Sequence, residues 1–525
     1  EAMEVITEKN PLPFITGTIC AHNCMSKCTR NFYETPVHIR EMKLKAAENG
    51  YEALLEKLPV PAVTKAGKAA VIGGGPAGMA AAYFLRKGGM EVTLFEAKES
   101  LGGVVRHVIP PFRISEDAIE KDAEILRKMQ VDIRCNTKVE SLEELKKQGY
   151  TKIVLAVGAP VQGSLKLESG MPKNALEFLA EFKQTDGKVS LGKHVVVIGG
   201  GNTAMDTARA AKRNVGVEHV YLVYRRTRRY MPADEEELVM ALEDGVEFKE
   251  LLSPVKLENG QLLCKVMQLS DYDVSGRRGV TETGETVWVP ADTVIAAVGE
   301  KVPTDWYQAN GLAVSEKGRL YVDEKTLKTS DDNVYAAGDG LYGPATVVEA
   351  IRDGRKVAEA IAGEVLARDF DKLAEEEKVY AKRGVLKEEQ KETKEAGRCL
   401  GCSTICENCV EVCPNRANIA IQVPGMEKHQ IIHVDYLCNE CGNCKSFCPY
   451  SSAPYLDKFT LFATEADMEN SKNQGFAVLN QETRRCKVRF FGKTFIWEPE
   501  KPAGLPDGLG RMIETVCRDY SYLIR

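Results

Sequence analysis

The apolar strand Lys68–Ile72 runs straight into Gly73-Gly74-Gly75-Pro76-Ala77-Gly78, and the small-residue stretch at 79–87 that follows has a helical pattern. The plan recurs at His194–Ile198, followed by Gly199-Gly200-Gly201-Asn202-Thr203-Ala204. No other feature restricts the fold as much. A glycine turn between strand and helix lets the backbone approach a pyrophosphate, and the helix N-terminus meets it with unpaired N–H groups and a partial positive charge. A lone motif of this kind is weak evidence, and a structural glycine turn is the bland alternative. Here the strand at 91–96 ends in Glu96, placed to accept hydrogen bonds from an adenosine ribose. The two βαβ units predict an α/β chain with two Rossmann-like dinucleotide-binding domains.

The second unit departs from the first. Ala204 replaces the third glycine, and the strand at 220–224 ends in Tyr224-Arg225-Arg226 where a carboxylate would stand. Guanidinium groups there would grip a 2′-phosphate, with Arg229 adding to the patch, so the spacing predicts NADPH over NADH. The alternative is a solvated basic loop. A later strand ends in Asn333-Val334-Tyr335-Ala336-Ala337-Gly338-Asp339, with a helix beginning near Ala345-Thr346-Val347-Val348. On these residues the chain resembles the two-dinucleotide-binding flavoprotein reductases. The resemblance implies FAD at the first turn, held by Gly73, Gly75, Pro76, Ala77, Gly78 and Glu96. It adds Gly103, Arg106 and Gly158, then Gly338 and Asp339 at the ribityl or phosphate region, and Thr346 and Val347 near the flavin ring. It assigns NADPH to Gly199, Gly201, Asn202, Thr203, Ala204, Arg225, Arg226, Arg229 and Gly299. Ala156-Val157-Gly158 and Ala297-Val298-Gly299 then mark two crossovers between the domains. Disulfide reductases of this kind carry a redox C-x4-C after the acidic residue, whereas Cys135 is the only cysteine between Glu96 and Gly199. Electrons leaving a flavin would need another acceptor.

The 16 cysteines offer one, because they cluster. Cys438-x2-Cys441-x2-Cys444-x3-Cys448-Pro449 matches the bacterial ferredoxin run, and Cys402-x3-Cys406-x2-Cys409-x3-Cys413-Pro414 repeats it with one extra residue. Zinc is the weaker alternative, since a ribbon uses separated C-x2-C halves. In a two-cluster domain the last cysteine of each run crosses over. One [4Fe-4S] cluster is then expected on Cys402, Cys406, Cys409 and Cys448, the other on Cys438, Cys441, Cys444 and Cys413. Cys399 competes with Cys402. Cys20, Cys24 and Cys28 form a third group, expected to ligate one or two further clusters completed by sequence upstream of Glu1, with His22 and His38 as possible substitutes. A disulfide framework suits a small secreted domain instead. The net charge of −6 argues against nucleic-acid binding, and no apolar run reaches the ~20 residues of a membrane span. The expected location is therefore the cytoplasm.

Asn10-Pro11-Leu12-Pro13, the early cysteines, Leu101-Gly102-Gly103 with Ile109-Pro110-Pro111-Phe112-Arg113, Gly199 through Asp206, and Tyr224-Arg225-Arg226 with Met231-Pro232 together resemble the glutamate synthase small-subunit family. With the C-terminal ferredoxin runs, the chain is most similar to the family of the selenate reductase FAD- and iron–sulfur-containing subunit. That resemblance implies a hetero-oligomer with a molybdenum hydroxylase of the xanthine dehydrogenase type, or with ferredoxin, and a link to purine breakdown. One departure is Lys43, which stands where relatives place a Gln or Glu cluster ligand. The expected organisation is an N-terminal helical iron–sulfur region at 1–66, continuing upstream, and an FAD domain at 67–190 and 291–365. An NADPH domain follows at 191–290, then a charged helical linker at 366–395. A 2[4Fe-4S] ferredoxin-like α+β domain at 396–455 and a tail domain at 456–525 complete it. The expected activity is NADPH-dependent electron transfer through FAD to [4Fe-4S] clusters, with no catalytic acid or base named. An electron-bifurcating NADPH:ferredoxin oxidoreductase and a structural electron-wire subunit with a vestigial nucleotide site remain as alternatives.

Overall fold

The computed structural model describes every residue except 1, 29–30, 32–34, 273–277, 368–406, 427–428, 449–451 and 501–503. Cys399, Cys402, Cys406 and nearly all of the expected linker at 366–395 lie outside the described residues. The chain divides into two compact units, Glu1–His22 with Arg40–Phe370 and Asn23–Ile39 with Asp371–Arg525. Among the described residues no helix is long and apolar enough to cross a membrane.

The first unit is built on two parallel five-stranded sheets. One has the order Val334–Ala336, Tyr150–Leu155, Lys68–Ile72, Glu91–Phe95, Asp132–Arg134. The other has the order Lys173–Asn174, Thr293–Ala296, His194–Ile198, His219–Tyr224, Glu247–Glu250. Their central strands are almost wholly buried, which explains their unbroken apolar runs: a parallel sheet is covered on both faces. A three-stranded antiparallel sheet, Leu252–Glu258, Gln261–Tyr272 and Arg278–Pro290, contributes Leu262, Cys264 and Val289 to a core shared with Val196 and Val223.

Two expected boundaries need correction. The break at 190/191 falls inside the second nucleotide half. Lys173–Asn174 hydrogen-bonds to Thr293–Ala296, and the helix Ala175–Gln184 buries Phe178 and Leu179 in the same core as Val195 and Ala208. The passage between halves lies nearer the two crossovers, where Val161–Gln162 pairs antiparallel with Glu300–Lys301. The break at 455/456 also separates nothing. In the second unit Gln430–Val434 pairs with Thr460–Phe462, and one mixed sheet runs on through Gly475–Asn480, Arg485–Phe490 and Lys493–Trp497. Ile432, Phe476, Trp497 and Ile513 share one core, so the described residues between 418 and 525 fold around a single sheet and the helix Asp507–Asp519.

The Asp122 carboxylate is one of the ties between the N-terminal segment and the first sheet's helical layer, beside the Lys87–Glu8 ion pair and the Tyr83 hydroxyl, which donates to Thr7 O. The helix Pro13–Ile19 starts at Leu12, which has no side chain able to cap it. Asp122, fully buried on the helix Glu116–Lys128, accepts from Phe14 N (3.1 Å) and Ile15 N (2.8 Å). Burial pushes its carboxyl well above the usual range, opposed by those two donors. Asp122→Ala would leave two buried N–H groups unpaired and is expected to destabilise the first unit by about 3 kcal/mol. Urea titration and hydrogen exchange at Phe14 and Ile15 measure this. The exposed Asp117→Ala serves as the control and is expected to stay within about 0.5 kcal/mol.

Candidate functional site

The first glycine turn is a place where side chains do not fit. A Cβ on Gly73 would strike the carbonyl oxygen of Ala156, and one on Gly78 would overlap the carbonyl oxygen of Gly73. Gly75 is the N-cap of the helix Pro76–Lys87, with Pro76 at the first helical position, where a missing N–H costs nothing. Glu96 lies buried beneath the turn, accepting from Gly74 N (2.7 Å) and Lys98 N (2.8 Å). Gly103 abuts the turn, since its Cβ would lie 2.8 Å from Gly75 Cα. The returning segment closes on the same spot. A Cβ on Gly338 would lie 2.7 Å from Ala77 Cβ, and one on Gly354 2.6 Å from Ala77 O. Asp339 opens a short helix and accepts from Ala345 N (3.0 Å), while Thr346 caps the helix Val347–Ala362 in a capping box with Glu349. Gly158 is the crossover beside Gly340. The backbone-lined cradle, its buried Glu96 and the helix end at Thr346 and Val347 fit a dinucleotide carrying a flavin. Arg106, also expected at the cofactor, pairs its guanidinium with Glu120 at 2.6 Å.

The second turn repeats the geometry. A Cβ on Gly199 would lie 2.5 Å from the carbonyl oxygen of Ala297 and 2.9 Å from buried Ala204. Gly201 is the N-cap of the helix Asn202–Arg213, with open space before it, and Thr203 lies in its first turn. Asn202 is fixed by accepting from Asp234 N at 2.9 Å. Gly299 also faces open space at the second crossover. Beyond Tyr224, Arg225 and Arg229 are exposed, and among the described residues no partner holds their guanidinium groups, whereas Arg226 Nε donates to Arg278 O at 2.8 Å. Two free cations at the end of the strand suit a phosphate monoester on the ribose.

Sequence patterns alone assign no role to a buried charge network that joins the two halves. Arg113, from the Ile109-Pro110-Pro111-Phe112-Arg113 segment, reaches Asp206 (2.5 Å) and Glu237 (2.7 Å). Arg209 adds contacts to Glu237 (3.6 Å) and Asp244 (2.7 Å), and Phe112 lies under Arg213, 4.3 Å from ring to guanidinium. Burial raises the Asp206 and Glu237 carboxyls, countered chiefly by Arg113. The signal was present in the quoted motifs, but nothing in either motif says that they meet.

In the second unit, Cys413, Cys438, Cys441 and Cys444 line one recess with a cavity volume of about 10 Å³. Ala417 N donates to Cys413 Sγ (3.2 Å) and Glu440 N to Cys438 Sγ (3.3 Å). Such donors stabilise sulfur that carries negative charge. Burial first, and then the neighbouring Cys413 and Cys444, push the Cys438 thiol up. Positive iron would relieve that crowding. Among the described residues no three Cys, His, Asp or Glu side chains converge as a single metal ion needs. Cys409 is buried beside Asn418, which donates to its carbonyl oxygen, and Cys448 is partly exposed. Cys20 ends the helix Pro13–Ile19 in the first unit, while exposed Cys24 and partly exposed Cys28 lie in the second. Cys135 is a lone thiol whose pKa is raised by burial and then by Glu96.

The family profile described as pyridine nucleotide-disulphide oxidoreductase matches residues 67–354. YgfK of Escherichia coli (strain K12), described as a candidate oxidoreductase, is 38% identical over 552 residues, covering 100% of this chain and 53% of YgfK. The chain thus spans about half the length of that relative. The NADPH-Fe(3+) oxidoreductase subunit beta of Geobacter sulfurreducens (strain DL-1 / KN400) is 34% identical over 402 residues, 69% of this chain and 59% of the subunit. The glutamate synthase (NADPH) small chain of Escherichia coli (strain K12) is 33% identical over 395 residues, 69% of this chain and 82% of the small chain.

Two outcomes follow from this geometry. Arg113→Ala strands two buried carboxylates and is expected to destabilise the first unit by about 3–5 kcal/mol, measured by denaturant titration. Cys413→Ala is expected to lower iron and acid-labile sulfide and to remove one cluster signal in anaerobically purified protein, with Cys135→Ala unchanged. Full iron content in Cys413→Ala contradicts the assignment.

Proposed function

The chain belongs to the pyridine nucleotide-disulphide oxidoreductase family, and we propose that it is an NAD(P)H-dependent oxidoreductase that moves electrons between NADPH, FAD and [4Fe-4S] clusters. The observation that carries this reading is the four-thiol recess. A chain with two nucleotide cradles, in which Cys135 is the only cysteine between Glu96 and Gly199, needs an acceptor of another kind, and the recess offers one. Bound FAD supplies the exchange between two-electron chemistry with a nicotinamide and single-electron chemistry with clusters. The protein's own part is placement. Gly73, Gly75 and Gly78 admit the pyrophosphate, Glu96 offers its carboxylate to a ribose, and Arg225 and Arg229 select the 2′-phosphate. Cys438, Cys441, Cys444 and Cys413 would hold one cluster, and Cys409 and Cys448 belong to the set proposed for the other.

We further favour a hetero-oligomer. The names of two relatives describe subunits, and the resemblance to the selenate reductase FAD/iron–sulfur subunit family points to a molybdenum hydroxylase partner and purine chemistry. The thiol-rich composition suits a reducing compartment such as the cytoplasm.

Cofactor choice tests the nucleotide half. The unsubstituted protein is expected to prefer NADPH, and Arg225→Glu to raise its KM for NADPH about tenfold or more while lowering that for NADH. Steady-state reduction of a dye acceptor measures both, and equal affinity of the unsubstituted protein for the two cofactors contradicts the reading.

A further inference from the structure

The two glycine turns are joined by a short strap whose side chains the proposed function does not use. At its start, Gly102 N donates to Gly74 O at 2.8 Å, and a Cβ on Gly103 would meet the backbone of Gly75, so the strap begins on the first turn. It continues as the helix Val104–His107 and then through Pro110 and Pro111, whose rings fix φ, and Arg113 N donates back to Pro110 O at 2.9 Å. On the way it leaves the first half: Val108 is buried in the core of the second, with Phe178 and Ala208. At its end the Arg113 guanidinium grips Asp206 on the helix Asn202–Arg213 and takes both oxygens of Glu237, at 2.7 and 2.8 Å, on the helix Glu235–Glu243.

Those two helices are tied to the second turn itself. Asn202–Arg213 starts from it, with Asp206 about one helical turn below Asn202. Just before the other helix, Ala233 N donates to Gly200 O at 3.0 Å and Asp234 N to Asn202 Oδ1 at 2.9 Å. Further ties end elsewhere. Lys183 donates to Arg106 O at 2.6 Å and pairs with Glu116 at 3.0 Å, but it stands on the helix Ala175–Gln184, which carries no part of the turn. From the N-terminal segment, His22 and Arg40 reach the half-exposed Glu236. Arg113 alone among these runs from one glycine turn's neighbour to the other turn's own helix, and a buried guanidinium fork fixes direction as well as distance.

We infer that Arg113 is a positioning residue for flavin reduction: the strap holds the two cradles at one separation, so that a nicotinamide bound at the second turn meets a flavin bound at the first. The inference rests on the reading that the first turn binds FAD and the second NADPH. Hydride transfer oxidises the nicotinamide and reduces the flavin directly, and its rate falls steeply with a misplacement of about 1 Å. Affinity for the dinucleotide is set separately, at the turn and the arginine patch. Arg113 touches neither cofactor in this arrangement and acts through Asp206 and Glu237.

Stopped-flow reduction and NADP+ titration of the flavin-loaded full chain test it. Arg113→Lys keeps the charge and loses the fork, while Asp206→Asn keeps an acceptor and loses the charge. Each rate is read per bound flavin, so that a loss of folded protein does not enter it. Both variants are expected to slow flavin bleaching at saturating NADPH by about tenfold to a hundredfold, with calorimetric affinity for NADP+ within about threefold of the parent. The same misplacement is expected to shrink the change that saturating NADP+ makes in the flavin absorption band, a readout without turnover that lost stability alone does not move. Lys183→Ala is expected to bleach within about twofold of the parent. Parental bleaching rate or a parental band change in either folded variant, or an equal slowing in Lys183→Ala, overturns the inference and leaves the NADPH reading standing. A parent protein whose flavin is not bleached by NADPH overturns both.

Discussion

The arrangement depends on two contacts that only glycine permits. At the first turn, Gly73 lies against the carbonyl oxygen of Ala156, and at the second, Gly199 lies against that of Ala297. Each carbonyl belongs to a crossover, where the chain leaves one sheet for the other. Each nucleotide cradle is therefore formed by a turn and a crossover together, at the carboxyl ends of the strands where parallel sheets bind ligands. A side chain at Gly73 or Gly199 would push the crossover away and disturb the cradle and the passage between halves at once. The return of the chain has the same character, since Gly338 and Gly354 bring the last part of the first half against Ala77.

Around these backbone contacts the protein uses buried charge sparingly. Asp122 serves two amides at the start of a helix, and Arg113 serves two carboxylates in the other half. Buried ions seldom add much net stability relative to apolar packing, but breaking one is costly. Such contacts therefore fix which surfaces meet more than how strongly they hold. Asp122 fixes the helix that ends at Cys20. Arg113 and Phe112 carry a loop of the first half into the second, where Asp206 stands on the helix that follows the glycine turn.

Legibility in the sequence tracked the range of the interactions. Strand, turn and helix around Gly73 and Gly199 are local patterns, and both half-sheets were readable from them. The cysteine runs are local as well, and Cys413, Cys438, Cys441 and Cys444 line one recess. The boundary at 190/191 was misplaced because Lys173–Asn174 gains its identity as a strand from Thr293–Ala296, far away in sequence. The 455/456 boundary failed likewise, since the parallel pairing of Thr460–Phe462 cannot be read from either segment. Asp122 carried no local signal: it looks like any helical acid.

The central claim is that electrons from NADPH pass through a flavin in the first unit to clusters in the second. Anaerobic titration of the holoprotein with NADPH, followed by flavin absorbance and by low-temperature electron paramagnetic resonance on the same samples, tests it most directly. The account predicts that NADPH bleaches the flavin band and that signals of reduced [4Fe-4S] clusters grow with it, while an equal amount of NADH is slower to produce either. A flavin that bleaches fully while the clusters stay oxidised, with the same clusters reducible by dithionite at the potential of the NADPH couple, would contradict it.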